Sequence, residues 1–326
     1  MPTPRPNLFS YATSELSQDA FLCWLLAWAD PAHRGRDPDL HRVARTFLDA
    51  LFVAADMGPP DSDARVIVHR QLKAADVVAE VGEDRVLIIE DKTTTENHSD
   101  QLDRYRKILG EVYKDRRLVC VYLKTGDQSS YMDVKSKDWA VFARADLLGV
   151  LRQGRDITHD VFIDFLMHLE RVEARVNRYQ TVLPCQWTRR DPAYRGLYLA
   201  LQAARVPGDW KFVNNAAGGF HAFWWGGNKV DGGELYLQLE EHDLVVKVGV
   251  PAKERRRELR DRWCKRVTEG LDEFRRPRRL GYGRWMTVAT YDGDYRVLGE
   301  DGLLDLDATV AHLASTATSL AALATW

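Results

Sequence analysis

Two strand-like runs joined by a short turn constrain the fold of this chain more than any other stretch of its sequence. Ala75–Val81 and Arg85–Asp91 are rich in β-branched residues and have the length of strands, whereas Gly82-Glu83-Asp84 between them has the composition of a turn. The segment therefore predicts a β-hairpin. Acidic residues and a lysine lie within it, so the hairpin also determines where these polar groups meet.

The polar side chains of the hairpin are expected to share one face. Side chains alternate along a strand, which places Glu90 and Lys92 on one face and turns Asp91 to the other. Asp76 meets Glu90 across the ladder only if the connection has an odd number of residues, such as Glu83-Asp84-Arg85, or contains a bulge. A two-residue turn would send Asp76 to the opposite face.

Facing carboxylates on this hairpin indicate a cation site. Asp76 and Glu90 would repel each other, and both stay ionised only if a positive charge lies between them. Their donor atoms are all oxygen, which favours Mg²⁺ or Mn²⁺ over zinc. The sequence therefore predicts a Mg²⁺ or Mn²⁺ site.

A polar helix is predicted next, at about Ser99–Leu109. Gln101 and Tyr105 are four residues apart and lie on one helix face. A glutamine amide can bind a water molecule or a phosphate, and a tyrosine hydroxyl can hold a phosphate oxygen or orient a lysine. Tyr105 can equally serve only to pack the helix, and both interpretations remain open at this point.

This ordered set of residues resembles the PD-(D/E)xK nuclease superfamily. Asp76 matches the first acid of the motif, and Glu90-Asp91-Lys92 matches its (D/E)xK tripeptide. Gln101 and Tyr105 match the QxxxY helix of the RecB-like branch. The residue before Asp76 is Ala75 rather than proline, a departure that concerns backbone shape and not chemistry. The resemblance covers about the first half of the chain, and the tripeptide alone is a weak signal.

The resemblance implies a role for each matched residue, with Gln101 and Tyr105 completing the catalytic set. Asp76, Glu90 and the backbone carbonyl of Asp91 would hold one or two Mg²⁺ ions, and Lys92 would orient the attacking water or stabilise charge on the phosphate. The superfamily commonly takes a further acid from a helix before the sheet, which would make Glu15 a metal ligand. The alternatives are that Glu15 complements the helix dipole and that Lys92 makes a surface ion pair.

The order of elements predicts the fold class. Helices are expected at Ser14–Ala29 and Asp39–Ala55, a strand at Arg65–Gln71 before the hairpin, and further strands at Leu118–Leu123 and Trp139–Phe142 after the polar helix. The helix between the hairpin and the next strand indicates a βαβ crossover. We therefore predict an α/β fold with a mixed sheet flanked by helices, and the superfamily resemblance implies that this sheet is restriction-endonuclease-like.

A smaller α+β domain is predicted to follow. A long helical pattern ends near Arg178, and the polar, proline-containing stretch Gln180–Pro192 divides a nuclease-like domain, 1–180, from a second domain, 181–326, that would bind nucleic acid or a partner. Trp224 and Trp225 should face opposite sides of one of its strands. The predicted elements are helices at Ala193–Arg205, Lys253–Phe274 and Leu303–Ala322 and strands at Lys211–Asn214, Phe220–Trp225, Glu234–Glu240, Leu244–Val250 and Arg284–Thr290.

The composition excludes several classes of protein. With 45% apolar and 29% charged residues, the 326-residue chain has the composition of a soluble globular protein, and no apolar run is long enough to cross a membrane. Its four cysteines include no CxxC pair, which argues against a zinc knuckle or a disulfide framework. Residues 1–10 are proline-rich and expected to form an arm without a signal-peptide core. We expect a cytoplasmic protein with no membrane partner.

A basic segment lies in the second domain although the net charge of the chain is only −2. Residues 253–284 contain thirteen Lys or Arg and six acidic residues, a local charge of +7. Leu259, Trp263 and Val267 repeat at helical spacing, which would turn the arginines outward. Such a surface could follow a phosphate backbone or could be an ordinary solvated helix face.

Together these patterns predict a hydrolase, a Mg²⁺-dependent phosphodiesterase acting as an endonuclease on nucleic acid, with DNA favoured over RNA. The resemblance also suggests a bacterial restriction or antiphage defence setting. One alternative is a nuclease-like fold that has lost catalysis and serves binding or assembly, and another is a scaffold with incidental acidic strand ends. Homo-oligomerisation or a protein partner is left open.

Overall fold

The computed structural model describes residues 5–95, 100–216 and 218–325. Within it the chain divides into two units, Met1–Glu173 and Ala174–Trp326. The division lies inside a helix, before the Gln180–Pro192 segment at which the sequence places it. None of the described helices is both long enough and apolar enough to cross a bilayer.

The first unit is built on a mixed five-stranded sheet, as predicted. Its strands, in spatial order, are β1 (Val66–Leu72), β2 (Ala75–Val81), β3 (Arg85–Lys92), β4 (Arg117–Lys124) and β5 (Ala140–Ala143). The first three strands are antiparallel, whereas β3 and β4, and β4 and β5, are parallel. The connection from β3 to β4 contains a helix, which confirms the predicted βαβ crossover.

Six α-helices are described in this part of the chain. They are α1 (Glu15–Trp28), α2 (Pro38–Ala54), α3 (Gln101–Val112), α4 (Met132–Ser136), α5 (Arg144–Leu151) and α6 (Asp160–Val176). The sequence pattern predicted all of these except the short helices α4 and α5. The predicted first residue of α3, Ser99, lies outside the described residues.

Alternating side chains of β3 divide the unit into two cores. Leu87 and Ile89 are fully buried in the cluster that contains α1 and α2, whereas Val86 and Ile88 are buried with Tyr105 of α3. A strand buried on both faces explains the nearly continuous apolar run in the sequence. The end of β3 therefore presents successive side chains to two different environments.

Residues 5–10 do not form the free arm expected from their prolines. Phe9 is buried, with its ring centroid 4.9 Å from that of Phe165. The Asn7 amide donates a 2.7 Å hydrogen bond to the carbonyl of Asp164, whose carboxylate accepts the backbone N–H of Leu8. A single buried aromatic ring and these bonds hold the segment, which composition alone does not reveal.

The second unit is an α+β fold on one antiparallel sheet. Its strands are β6 (Asp209–Val213), β7 (Phe220–Val230), β8 (Gly233–Glu240), β9 (Asp243–Gly249), β10 (Phe274–Arg275) and β11 (Trp285–Tyr291), in the spatial order β10-β11-β9-β8-β7-β6. Its α-helices are α7 (Pro192–Ala203), α8 (Arg256–Gly270) and α9 (Leu306–Ala324). Helix α8 ends at Gly270 rather than at Phe274 as predicted, because Phe274 pairs with Tyr291 in an edge strand.

The core of the first unit yields a test of this packing. Ile89→Ala should lower the free energy of unfolding by about 2–5 kcal/mol, since Ile89 is fully buried and its removal leaves a cavity. Ile67→Ala in the same sheet should cost about 1 kcal/mol or less, because Ile67 is 46% exposed. Urea denaturation of both variants measures the difference, and equal losses would contradict the described burial.

Candidate active site

The two predicted carboxylates meet at the open end of the hairpin. Val77 pairs with Ile89, so the next pair along the ladder sets Asp76 opposite Glu90. The connection is Gly82-Glu83-Asp84, an odd number of residues, as the predicted facing requires. Asp76 lies close enough to Glu90 for its charge to raise the pKa of Glu90. The hairpin therefore holds two acids against each other across neighbouring strands.

The ammonium group of Lys92 lies where the expected oxygen ligands converge. Its Nζ forms an ion pair with Glu90 Oε1, donates a 3.2 Å hydrogen bond to the carbonyl oxygen of Asp91, and lies 3.9 Å from Asp76 Oδ2. Burial opposes its charge, but the contact with the Glu90 carboxylate and the nearby Asp76 raise the pKa of Lys92. Lys92 thus supplies a permanent positive charge to these acids.

Glu90 has the most perturbed environment on this face. Burial and then the neighbouring charge of Asp76 raise the pKa of Glu90 to about 8, although Lys92 opposes the shift. Gln101 Nε2 donates a 2.6 Å hydrogen bond to Glu90 Oε1 and lies 2.8 Å from the hydroxyl oxygen of Tyr105. Glu90 Oε2 is buried and accepts no hydrogen bond from the described residues. The structure therefore places Gln101 against Glu90 and Tyr105 against Gln101.

A second acid pair lies on the other face of β3, and the sequence analysis did not predict it. Asp19 lies close enough to Asp91 for its charge to raise the pKa of Asp91, and Gln18 Nε2 donates a 2.6 Å hydrogen bond to Asp91 Oδ1. Burial raises the pKa of both carboxyls, that of Asp19 to about 6, with Asp76 contributing to the shift of Asp19. The spacing of Asp19 four residues after Glu15 on α1 is the signal that could have pointed to it.

The two acid pairs are connected through the backbone of β3. The N–H of Asp91 donates a 2.9 Å hydrogen bond to Asp76 Oδ2. On the other side, Gln18 Oε1 accepts a 2.8 Å hydrogen bond from the hydroxyl of Thr125, the residue after β4. Helix α1, strands β2 and β3 and the residue that follows β4 therefore all contribute polar atoms to one end of the sheet.

Glu15 is bound mainly to the segment that follows β3. Its Oε1 accepts hydrogen bonds from the backbone N–H and hydroxyl of Thr93, at 3.0 and 3.2 Å, and from the hydroxyl of Thr95, at 2.8 Å. Burial acts to raise the pKa of Glu15, but the hydrogen bonds and the attraction of Lys92 outweigh it and lower that pKa. With three donors on one oxygen, Glu15 orders this segment, whereas Asp19 retains a buried Oδ1 with no partner among the described residues.

The donor chemistry of the cluster fits a hard cation, although its present geometry does not. Within the described ranges, no three His, Cys, Asp or Glu side chains already form a metal-binding group. Three buried carboxylate oxygens of the cluster nevertheless accept no hydrogen bond from the described residues: Glu90 Oε2, Asp91 Oδ2 and Asp19 Oδ1. Buried acceptors of this kind are normally satisfied, and oxygen atoms are the ligands of Mg²⁺ and Mn²⁺. Lys92 would have to withdraw from Glu90 to admit such an ion.

The basic helix of the second unit differs from the expected arginine surface. Arg255 and Arg262 both form ion pairs with Asp231 and with Glu258, so much of their charge is neutralised within the unit. Arg260, expected to face outward, is only 4% exposed. Helix α8 is therefore a poor candidate for a continuous phosphate-binding face.

Comparison with known proteins adds no relative. No protein-family model matches the chain, and neither a curated protein nor a solved structure matches it. The candidate site is therefore argued from its residues and their geometry.

The raised pKa of Glu90 predicts how stability depends on pH in the presence of a chelator. Burial raises the pKa of Glu90 to about 8 in the folded protein, against the ordinary value of 4.5 in the unfolded chain. Between these values the folded state binds more protons, so its stability falls as pH rises, by an amount on the order of a few kcal/mol. Glu90→Gln has no such proton and should make the fall shallower.

Urea denaturation at several pH values between about 5 and 8 measures this slope. Glu83→Gln is the matched control, because Glu83 is an exposed acid in the turn of the same hairpin. An unchanged slope in Glu90→Gln would show that Glu90 is already ionised in the folded protein.

Proposed function

We propose that the first unit is a metal-dependent phosphodiesterase, a hydrolase that acts as an endonuclease on DNA. The observation that carries the proposal is the convergence of the Asp76 and Glu90 carboxylates and the Asp91 carbonyl on the Lys92 ammonium. Two acids, a carbonyl and a lysine at one strand end are the groups that phosphodiester cleavage needs for metal binding and charge stabilisation. The side chain of Asp76 is 21% exposed, which gives a phosphate a route to the cluster.

Asp76, Glu90 and the Asp91 carbonyl would hold the ion, with Asp19 as a further carboxylate close to Asp76. A bound Mg²⁺ or Mn²⁺ would neutralise the scissile phosphate and lower the pKa of a water molecule. Gln101 would keep the Glu90 carboxylate oriented through its 2.6 Å hydrogen bond. These residues therefore bind the ion and orient its ligands, while the attacking water would release its proton to solvent and the leaving oxygen would take one from solvent.

Lys92 would act by charge rather than as a base. Its neighbouring carboxylates raise its pKa, so it keeps its proton at neutral pH and cannot accept one from water. Once displaced from Glu90, its ammonium would remain beside the reacting phosphate and stabilise the negative charge of the pentacovalent state. A raised pKa supports charge stabilisation as the role of Lys92 and argues against its acting as a general base.

A catalytically inactive nucleic-acid-binding or assembly module is the second candidate function. It is favoured by one observation: Lys92 already neutralises the acid pair, so the fold does not need a divalent ion to hold it. Metal binding and cleavage distinguish the two candidates.

Substitutions at Lys92 and Asp76 should separate chemistry from metal binding. Lys92→Ala should lower the cleavage rate by about 10²-fold or more and leave Mg²⁺ binding largely intact, because its role is charge stabilisation. Asp76→Ala should remove both, because a ligand is lost. Lys107→Ala, at an exposed lysine of α3, serves as the control.

The assay incubates purified protein with plasmid, linear duplex, single-stranded DNA and RNA, each with Mg²⁺, Mn²⁺ or chelator. Nicking or linearisation of plasmid that needs the ion supports a DNA endonuclease. Cleavage by Lys92→Ala at the wild-type rate would refute its assigned role, and metal binding without cleavage of any substrate would favour the inactive module.

The acids of α1 can be ranked by their effect on metal affinity. Asp19→Asn should weaken Mg²⁺ or Mn²⁺ binding more than Glu15→Gln, because Asp19 has an unpartnered buried oxygen and Glu15 is occupied by Thr93 and Thr95. Titration calorimetry at fixed pH measures both. A larger effect of Glu15→Gln would assign the helix acid to Glu15, as the superfamily resemblance implies.

A further inference from the structure

The sheet of the second unit has a cavity on the face opposite its hydrophobic core. Helices α7, α8 and α9 pack on one face through residues such as Leu197, Trp263 and Leu313, which share a core with Leu237 of β8. The other face bears a cavity of about 740 Å³. We call this surface the open face and define it by five lining residues: Trp224, Tyr236, Gln238, Lys247 and Trp285.

Strand register places these side chains together. Both Trp224 and Trp225 border the cavity, but Trp225 is 5% exposed and belongs to the hydrophobic core, whereas Trp224 is half-buried and shares a face with Gln238, as alternation along the strand predicted. Trp224 pairs with Gln238, and Tyr236, two residues away on the same strand, pairs with Lys247. The aromatic rings of Trp224 on β7 and Tyr236 on β8 therefore each lie beside a polar side chain of the neighbouring strand, Gln238 and Lys247 respectively.

A third ring, Trp285, lies across the backbone of β9. Trp285 pairs with Gly249, and a Cβ at Gly249 would lie 2.0 Å from Trp285 Cζ3, so only glycine admits the ring here. The rings of Trp285 and Tyr236 are 5.8 Å apart at 78°, an edge-to-face contact. Trp285 is nevertheless 50% exposed. The backbone thus makes room for an indole that remains accessible to a ligand.

The polar groups of the open face can recognise the edges of bases. Glu240 Oε1 accepts hydrogen bonds from Gln238 Nε2, at 2.7 Å, and from Lys247 Nζ, at 2.9 Å. This leaves the carbonyl oxygen of the buried Gln238 as an acceptor, and the exposed carboxylate of Glu234 also lines the cavity. Acceptors beside aromatic rings suit the amino groups of adenine, cytosine and guanine.

An arginine-rich loop leads directly into Trp285. We call residues 276–284 the basic loop: it contains four arginines and no acid, and none of the four forms an ion pair within the described residues. Arg284 lies 5.2 Å from the ring of Trp285. The buried Arg260 of α8 contacts the basic loop at two points. It donates a 3.0 Å hydrogen bond to the carbonyl oxygen of Gly281, and its guanidinium lies 4.8 Å from the centre of the Tyr282 ring. Unpaired positive charge thus adjoins the aromatic face.

We propose that the open face and the basic loop form a binding site for single-stranded nucleic acid. Bases stack on Trp224 and Trp285, and arginines of the basic loop contact the phosphates. Aromatic rings bind unpaired bases of any sequence, and a cationic margin attracts the backbone. An apolar peptide would fit the rings but not the four arginines, which have no ion-pair partner among the described residues and select a polyanion. The proposal does not rest on cleavage by the first unit.

Binding to the full chain in chelator tests the aromatic part. Labelled single-stranded DNA and RNA of about 15 nucleotides, which spans one site of this kind, are compared with duplex by fluorescence anisotropy. Single-stranded DNA or RNA should bind more tightly than duplex. Trp285→Ala should lower the affinity for the single strand on the order of tenfold. Trp285→Phe should keep most of the affinity, and Tyr11→Ala, at an exposed tyrosine of the first unit, should change nothing.

The charged part is tested by the salt dependence of the same binding. The double reversal Arg278→Glu and Arg279→Glu should flatten the plot of log affinity against log salt by about 0.7 for each phosphate that the protein no longer neutralises. Arg257→Glu, an exposed arginine of α8 outside the basic loop, is the control.

Three results would overturn the proposal. These are duplex binding as tight as single-strand binding, wild-type affinity in Trp285→Ala with intact circular dichroism, and absence of binding to any nucleic acid. An equal loss of affinity in Arg257→Glu would assign binding to the whole basic segment instead. A protein that cleaves no substrate can still pass this test, because binding is measured without metal.

Discussion

The placement of Glu90 opposite Asp76 at the end of a hairpin is the constraint on which the first unit depends. Two carboxylates in contact and largely out of water repel each other, and burial penalises each charge further. Lys92, on the same face two residues along the strand, supplies the compensating charge. The odd connection between β2 and β3 is required for this arrangement, because a shift of one residue would move Asp76 to the other face.

Successive residues of β3 create two acidic environments within one strand. Glu90 faces α3 and contacts Lys92 and Gln101. Asp91 faces α1, where Gln18 donates a hydrogen bond to it and Asp19 lies close by. Burial raises the pKa of both strand acids, Glu90 and Asp91. Protons and the Lys92 ammonium therefore offset negative charge that a bound metal cation could offset instead. Such clustered, perturbed carboxyls are typical of functional sites, and this is the physical basis of the proposed metal chemistry.

The second unit divides one sheet into an apolar core face and an aromatic, polar open face. The alternation of Trp224 and Trp225 illustrates the division within two residues. The burial of Arg260 changes how the basic segment is understood. This arginine serves as a structural anchor for the basic loop, and the exposed arginines of that loop carry the charge available to a ligand. Proposed cleavage and proposed capture of nucleic acid thus rest on different units and different physical interactions.

The sequence by itself determined what depends on local periodicity. The mixed sheet, the shared face of Glu90 and Lys92, the Gln101 and Tyr105 pair, and most elements of the second unit follow from alternation every two residues or repetition near every 3.6. Short helices such as α4 and α5, each with at most a few turns, escape such patterns.

Only the tertiary structure decided which residues of separate elements meet. Asp19 rather than Glu15 lies beside Asp91, and Arg260 turns inward to contact the basic loop at Gly281. Phe274 joins an edge strand, and Phe9 packs in the core. Periodicity assigns a side chain to a face of its own helix or strand. Its partner across space depends on the lengths of connections and on how elements pack, and neither is encoded within a short window of sequence.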